Sequence, residues 1–212
     1  MKYIFVAGAP GSKWSSVVKN IYYSPSINRT DYSDERTYYH DASGEMQLMH
    51  LGAYFDPGME FGLPESMSTL TKKQAENLFD KAFTENSEGV RIVKSHIFSY
   101  LENIEYLREL WPECPIVLVY RNDDSCLGWW VKCGHFNITY PSYDWYYKDL
   151  KHMATKIKEQ NQGITNALWN YKHKGLKEVK TNIELCDALN IEWPSREYTQ
   201  NYLNNDIKVA VI

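Results

Sequence analysis

This 212-residue chain has no long hydrophobic run, no paired cysteines and no excess of positive charge. No apolar stretch approaches the roughly 18 residues that a membrane-spanning helix needs, so no membrane crossing is expected. Four cysteines, Cys114, Cys126, Cys133 and Cys186, are scattered without a Cys-x-x-Cys pair. Neither a zinc ribbon nor a dithiol redox motif is therefore signalled. Cys126, Cys133 and His135 are the nearest approach to a ligand set, but their spacing is unlike that of structural metal sites, and no metal is expected. Small buried thiols in a reducing compartment are the simpler reading. The net charge of −4 argues against nucleic acid or another polyanion as partner. A strand pattern starts directly after Met1-Lys2, so no leader peptide is expected and the protein is read as cytoplasmic. There is also no repeat, no low-complexity segment and no linker. Residues 1–212 are read as a single domain.

What is present is an ordinary hydrophobic fraction of 43% and a high aromatic fraction of 15%, with 17 Tyr and 7 Trp. Aromatics line clefts, but in a chain of this size most belong to core or rim. Buried strands are read at Tyr3–Ala7, Gly89–Lys94 and Pro115–Tyr120, separated by helical patterns. One helix opens at Thr69 or Thr71, one runs from Tyr100 to Trp111, and one from about Asp124 to Cys133, capped by Asp123 and Asp124. Tyr143 to His173 is mostly helical, with Gly163 as a break and an aromatic packing face that includes Trp145, Tyr146, Trp169 and Tyr171. A last helix covers Thr181 to Leu189 and closes at Asn190. The tail, Ile207–Ile212, reads as an edge strand or as one that pairs with a second copy in a homodimer. Between Tyr23 and Leu70 the pattern breaks into loops, expected to form walls or a lid of an acceptor cleft; His40 and His50 there read as loop residues that could line it. Alternating strands and helices predict a three-layer α/β fold: a P-loop-like central parallel sheet flanked by helices, with a helix-rich C-terminal half.

The first strand runs straight into Gly8-Ala9-Pro10-Gly11-Ser12-Lys13-Trp14-Ser15-Ser16. Small residues after a buried strand let backbone N–H groups turn toward one point. A helix starting there adds the positive end of its dipole. Lys13 adds a full charge, and Ser12, Ser15 and Ser16 add hydroxyl donors. This is the chemistry of a phosphate cradle. It is not the nucleoside-triphosphate pattern, which places Gly at position 13 and Lys at 14 when counted from Gly8. Lys13 and Trp14 stand there instead, and no Mg²⁺-binding hydroxyl directly follows the lysine.

Parallel strands present their C-terminal ends on one edge. Those ends carry Gly8–Ser16, then Lys94-Ser95-His96, then Arg121-Asn122-Asp123-Asp124-Ser125. Histidine suits general-base work near neutral pH, and Lys94 beside His96 disfavours the imidazolium. Arg121 offers a planar fork for a second phosphate. Taken singly, His96 also fits a hydrogen-bonded structural histidine, and Lys94 a salt-bridging rim residue.

In order along the chain, Ala9-Pro10-Gly11-Ser12-Lys13-Trp14-Ser15, Val93-Lys94-Ser95-His96 and Val119-Tyr120-Arg121-Asn122-Asp123-Asp124 resemble the three motifs of sulfotransferases that use 3′-phosphoadenosine 5′-phosphosulfate (PAPS). Those motifs are the 5′-phosphosulfate loop, the Lys-Thr-His of the cytosolic branch and the Arg that binds the 3′-phosphate. Leu185–Ile191 resembles that family's C-terminal helix. The resemblance implies that Pro10, Gly11, Ser12, Lys13, Trp14, Ser15 and Ser16 hold the 5′-phosphosulfate. Arg121 would hold the 3′-phosphate, and His96 would be the base, aided by Lys13 and Lys94. The loop lysine stands at Lys13 rather than directly after Pro10. The position of the family's 3′-phosphate serine is Trp129, so Ser125 is the substitute candidate. Trp14 is read either as stacking on a base or as buried against the sheet.

The implied reaction moves a sulfuryl group from PAPS to a hydroxyl or amine, leaves 3′,5′-ADP and needs no metal. The aromatic loops and mild acidity point to a small or sugar-like acceptor. A P-loop nucleotide or metabolite kinase and a non-catalytic nucleotide-binding descendant of the fold remain alternatives.

Overall fold

A computed structural model describes residues 1–32, 39–40, 47–48, 51–132, 148–194 and 206–212. The side chain of His40 lies outside the described residues, as do His50, Cys133, His135, Trp145, Tyr146 and the start expected for the long helix at Tyr143.

The chain is α/β. Its main sheet has five strands in the order β4-β1-β5-β7-β6, where β1 is Tyr3–Gly8, β4 Arg91–Lys94, β5 Ile116–Arg121, β6 Lys177–Val179 and β7 Ile207–Val211. A separate antiparallel pair joins β2 (Tyr39–His40) to β3 (Gln47–Leu48). Strand β1 lies between β4 and β5, parallel to both, with Tyr3 opposite Arg91 and Phe5 opposite Ile116. All six of its residues are buried, which is why it reads as an unbroken apolar run.

The sheet is mixed, not wholly parallel as expected. The tail β7 enters between β5 and β6 and is antiparallel to both. It is therefore neither an edge strand nor an open pairing strand. Ile207, Val209, Ala210 and Val211 are all buried, and only Lys208 of the strand is exposed. A five-residue segment with that much apolar surface gains more from two paired neighbours than from an open edge. The short, polar β6, which no sequence pattern announced, takes the edge instead.

The helices are α1 (Trp14–Tyr22), α2 (Lys72–Asp80), α3 (Leu101–Leu110), α4 (Asp123–Lys132), α5 (Leu150–Tyr171) and α6 (Asn182–Leu189). Among the described residues, none is long and apolar enough to cross a membrane. Local chemistry explains several ends. Thr71 and Gln74 form a reciprocal capping box at the start of α2. Asn190, with φ of 52°, closes α6 in the left-handed conformation that asparagine tolerates. Helix α4 is capped by Asn122, not by Asp123 or Asp124: its Oδ1 accepts from the Asp124 and Ser125 N–H groups at 3.0 and 3.4 Å.

Gly163 does not break α5. It sits inside the helix, where an added Cβ would lie 2.1 Å from the Ser99 carbonyl oxygen. The glycine admits a close helix crossing. Trp169 was expected to pack but is 77% exposed. The core is strongly aromatic: Tyr3, Phe5, Phe79, Phe98 and Trp111 meet edge-on or tilted, with centroids 5.4–6.4 Å apart. The three parallel strand ends, Gly8, Lys94 and Arg121, share one edge of this rigid unit.

Candidate functional site

Two groups of side chains form at that edge, joined by the neighbours Lys13 and Trp14. The first is cationic. After Gly8 the chain turns sharply. The Ser12 N–H donates to the Ala9 carbonyl at 3.0 Å, and Gly11 and Lys13 take positive φ of 79° and 64°. A lysine in the left-handed region is sterically costly. Here it lets the chain enter α1 with Lys13 at the N-cap position, without a side-chain cap. Gly11 must be glycine for a second reason. A Cβ there would lie 2.1 Å from the Cys126 carbonyl oxygen, so the loop rests directly on the first turns of α4.

Arg121 fastens this loop to the end of β5, donating from one terminal nitrogen to the Gly11 carbonyl at 2.9 Å. Its remaining donors engage Asp206, with Nε 2.8 Å and the other terminal nitrogen 2.6 Å from Oδ2. The pairing follows from topology: Arg121 lies opposite Ile207 in the β5–β7 register, and Asp206 immediately precedes that residue. Lys13 reaches the same carboxylate at 3.4 Å. Both cations lie over Trp129, with Lys13 Nζ 5.4 Å and the Arg121 guanidinium carbon 6.0 Å from the ring centroid. Desolvation pushes the Asp206 carboxyl up, but Arg121 and Lys13 together outweigh it and hold the group below its ordinary range.

Of the other loop residues, Pro10 and Ser12 are buried, and Ser15 and Ser16 are half-buried on the first turn of α1. The Ser12 Oγ is fully buried without a hydrogen-bond partner. It lies where a Cβ on Gly8 would approach it to 2.7 Å. Ser125 is half-buried on the first turn of α4, behind the Asn122 cap.

The second group surrounds His96. The segment after Leu51 runs alongside the end of β4, with a bridge between Tyr54 and Lys94. This brings Asp56 under the strand end. Its Oδ1 accepts from the Ser95 hydroxyl and from the His96 N–H, each at 2.6 Å. The His96 Nδ1 meets the Gly8 carbonyl. A carbonyl only accepts, so Nδ1 carries the proton. Nε2 then faces the Asp56 Oδ2 at 3.7 Å, and that oxygen is buried without a hydrogen bond. Trp14 stacks on the imidazole at 4.2 Å, and Tyr54 meets it edge-on at 5.7 Å. His96 is consequently 2% exposed. Of the two readings of Trp14, it takes the buried one, packed on the histidine. Lys94 is 1% exposed, donates to the Leu51 carbonyl and lies 5.9 Å from the Tyr54 ring; it is no rim residue.

Burial holds the His96 imidazole below its ordinary value, and Lys94 pushes the same way, while Asp56 and the Gly8 carbonyl oppose. The folded state thus favours neutral His96, whereas the unfolded chain protonates it near pH 6.5. The resulting stability is fully present above about pH 6.5 and is lost as the pH falls toward the depressed folded value. The slope is at most about 1.4 kcal/mol per pH unit for one proton. Thermal melts from pH 7.5 to 5.5 should show this loss, and His96→Gln should remove that part of it. An identical pH dependence in the variant would contradict the assignment.

Sequence reasoning thus located Lys13, Lys94, His96 and Arg121 at one edge, but it missed Asp56, Tyr54 and Asp206. Asp56-Pro57-Gly58 reads locally as a turn, and nothing near Asp206 announces an arginine partner. Among the described residues, no group of three or more His, Cys, Asp or Glu side chains is arranged to hold a metal ion. Cys114, Cys126 and Cys186 are free thiols and buried. Comparison of the chain with protein-family models, with curated proteins and with solved structures returned no match.

Proposed function

We propose that this chain binds the 3′,5′-bisphosphate nucleotide PAPS and transfers its sulfuryl group to a hydroxyl or amine of a small acceptor. The observation that carries this reading is the convergence of Lys13 and Arg121, from the first strand–helix turn and the end of β5, on a single carboxylate. Two cations fixed at one edge of a sheet, beside a helix N-terminus, form an anion site of the kind nucleotide phosphates use. The buried Ser12 hydroxyl inside the turn adds a polar group that needs a partner. In this reading the loop Pro10–Ser16 and Lys13 hold the 5′-phosphosulfate, with Arg121 and Ser125 on the 3′-phosphate.

In the transfer itself, the acceptor oxygen or nitrogen attacks sulfur, the bond from sulfur to the 5′-phosphate oxygen breaks, and 3′,5′-ADP leaves. His96 takes the acceptor's proton on Nε2, and Lys13 and Lys94 stabilise charge on the leaving oxygen. This requires Nε2 to turn from Asp56 to the acceptor, because both imidazole nitrogens now face protein groups. That enclosure favours a second reading, in which the chain binds the nucleotide without catalysing transfer and His96 serves as a staple between β1 and β4.

Calorimetry separates these readings. Tight, metal-independent binding of 3′,5′-ADP supports the nucleotide assignment, whereas preference for ATP with Mg²⁺ points to a kinase. Incubation of a metabolite extract with sulfur-labelled PAPS tests transfer. Labelled product that disappears in His96→Ala supports His96 as the base. Full transfer by that variant removes it from the chemistry, and binding without any transfer supports the second reading.

A further inference from the structure

The Asp206 carboxylate lies within reach of both Lys13 and Arg121. Three cations surround the face of Trp129: Lys13, Arg121 and, at 5.9 Å from the ring centroid, Lys132. Holding Lys13 and Arg121 close enough to share one carboxylate is unfavourable unless an anion sits between them. Asp206 supplies one negative charge, accepts two donors of the Arg121 fork and draws in Lys13. Two donors of the guanidinium thus converge on one oxygen of an anion. The two sides of the pair differ in setting. The Arg121 side chain is 9% exposed and pinned by its bond to Gly11, whereas the Asp206 side chain is 40% exposed. The cation is built into the fold and the carboxylate can leave into water.

We propose that Asp206 is an internal counter-anion that a dianionic phosphate must displace from Arg121 in order to bind, which also frees Lys13. Asp206 then acts as a specificity residue. A ligand group bringing one charge gains little over the carboxylate already present, while a dianion better matches the surrounding cations. The partner that must move is the more exposed one, Asp206, so the contact tunes affinity and does not block the site. The inference rests on the anion site proposed above, but not on the identity of the nucleotide or on catalysis.

The test measures inorganic phosphate binding to the full chain at pH 7.5 and low salt, by calorimetry, in the wild type, Asp206→Asn and Asp206→Glu. Removing the charge while keeping the shape should tighten phosphate binding about tenfold, equivalent to about 1.4 kcal/mol. Asp206→Glu should bind like the wild type. Adding Arg121→Gln to Asp206→Asn should abolish the gain. Equal or weaker binding by folded Asp206→Asn, or no binding by any form, overturns the proposal. If Asp206→Asn fails to fold, the wild type still decides the matter. Titration with phosphate should shift both the Arg121 Nε–H and the Asp206 carboxyl resonances, and a titration that binds phosphate but moves neither overturns it. The sulfotransferase reading fails by a different result, namely 3′,5′-ADP binding no more tightly than 5′-AMP. The two failures are therefore distinguishable.

Discussion

Arg121→Gln should weaken 3′,5′-ADP binding about 100-fold and also lower the melting temperature. Arg121 is held firmly by the fold. It is 8% exposed, closes a buried strand and is braced by the Gly11 carbonyl. A phosphate replacing Asp206 would inherit two hydrogen bonds from a pre-oriented fork. Charge-assisted bonds of this kind are worth roughly 1.5–3 kcal/mol each, so losing the fork costs one to two orders of magnitude even if glutamine keeps one contact. Stability should fall as well, since the Gly11 carbonyl loses its donor and the loop its tie to β5, although the exposed Asp206 is hydrated once its partner is gone. Titration calorimetry beside a thermal melt separates the two effects. A dissociation constant within threefold of the wild type would mean that the phosphate lies elsewhere.

Gly11→Ala is expected to destabilise the protein by about 2–5 kcal/mol and to abolish binding at the loop. Two costs add. The backbone at φ of 79° disfavours an L side chain by about 1–2 kcal/mol. The new methyl would also stand 2.1 Å from the Cys126 carbonyl oxygen, and relieving such overpacking typically costs about 1–3 kcal/mol. The obstacle is backbone at the start of a helix, so the loop must give way. Its displacement carries Gly11 away from Arg121 and moves Lys13. Chemical denaturation measures the first effect and phosphate titration the second. A variant as stable as the wild type would show that the loop does not rest on α4.

Much of the site's raw material was legible along the chain. The glycine turn after β1, the Lys94–His96 strand end and the arginine closing β5 are all local signals: an apolar run stops and chemistry-bearing residues follow. The helices Lys72–Asp80 and Asn182–Leu189 were legible for the same reason, through their caps, and Leu101–Leu110 through its stop before Pro112. Signals of this kind act over one turn or one strand. They are present in the sequence before any tertiary contact forms.

The partners of those residues were not legible, because each comes from a distant part of the chain. Asp206 lies 85 positions from Arg121 and Asp56 lies 40 from His96, while the Gly8 carbonyl lies 88 from the His96 ring. Whether a histidine at a strand end opens onto a cleft or is sealed by Trp14 and Tyr54 depends on the path of a loop-rich segment with no periodic pattern. Whether an arginine waits for a ligand or holds a carboxylate depends on where the tail strand inserts. The tail's apolar composition called for burial, but only the sheet could place it antiparallel between β5 and β6, and that placement delivers Asp206 to Arg121. The sequence by itself determined which residues stand at this edge of the sheet. The tertiary structure alone decided which of their atoms remain available, because hydrogen-bond pairing and burial depend on contacts that no local pattern encodes.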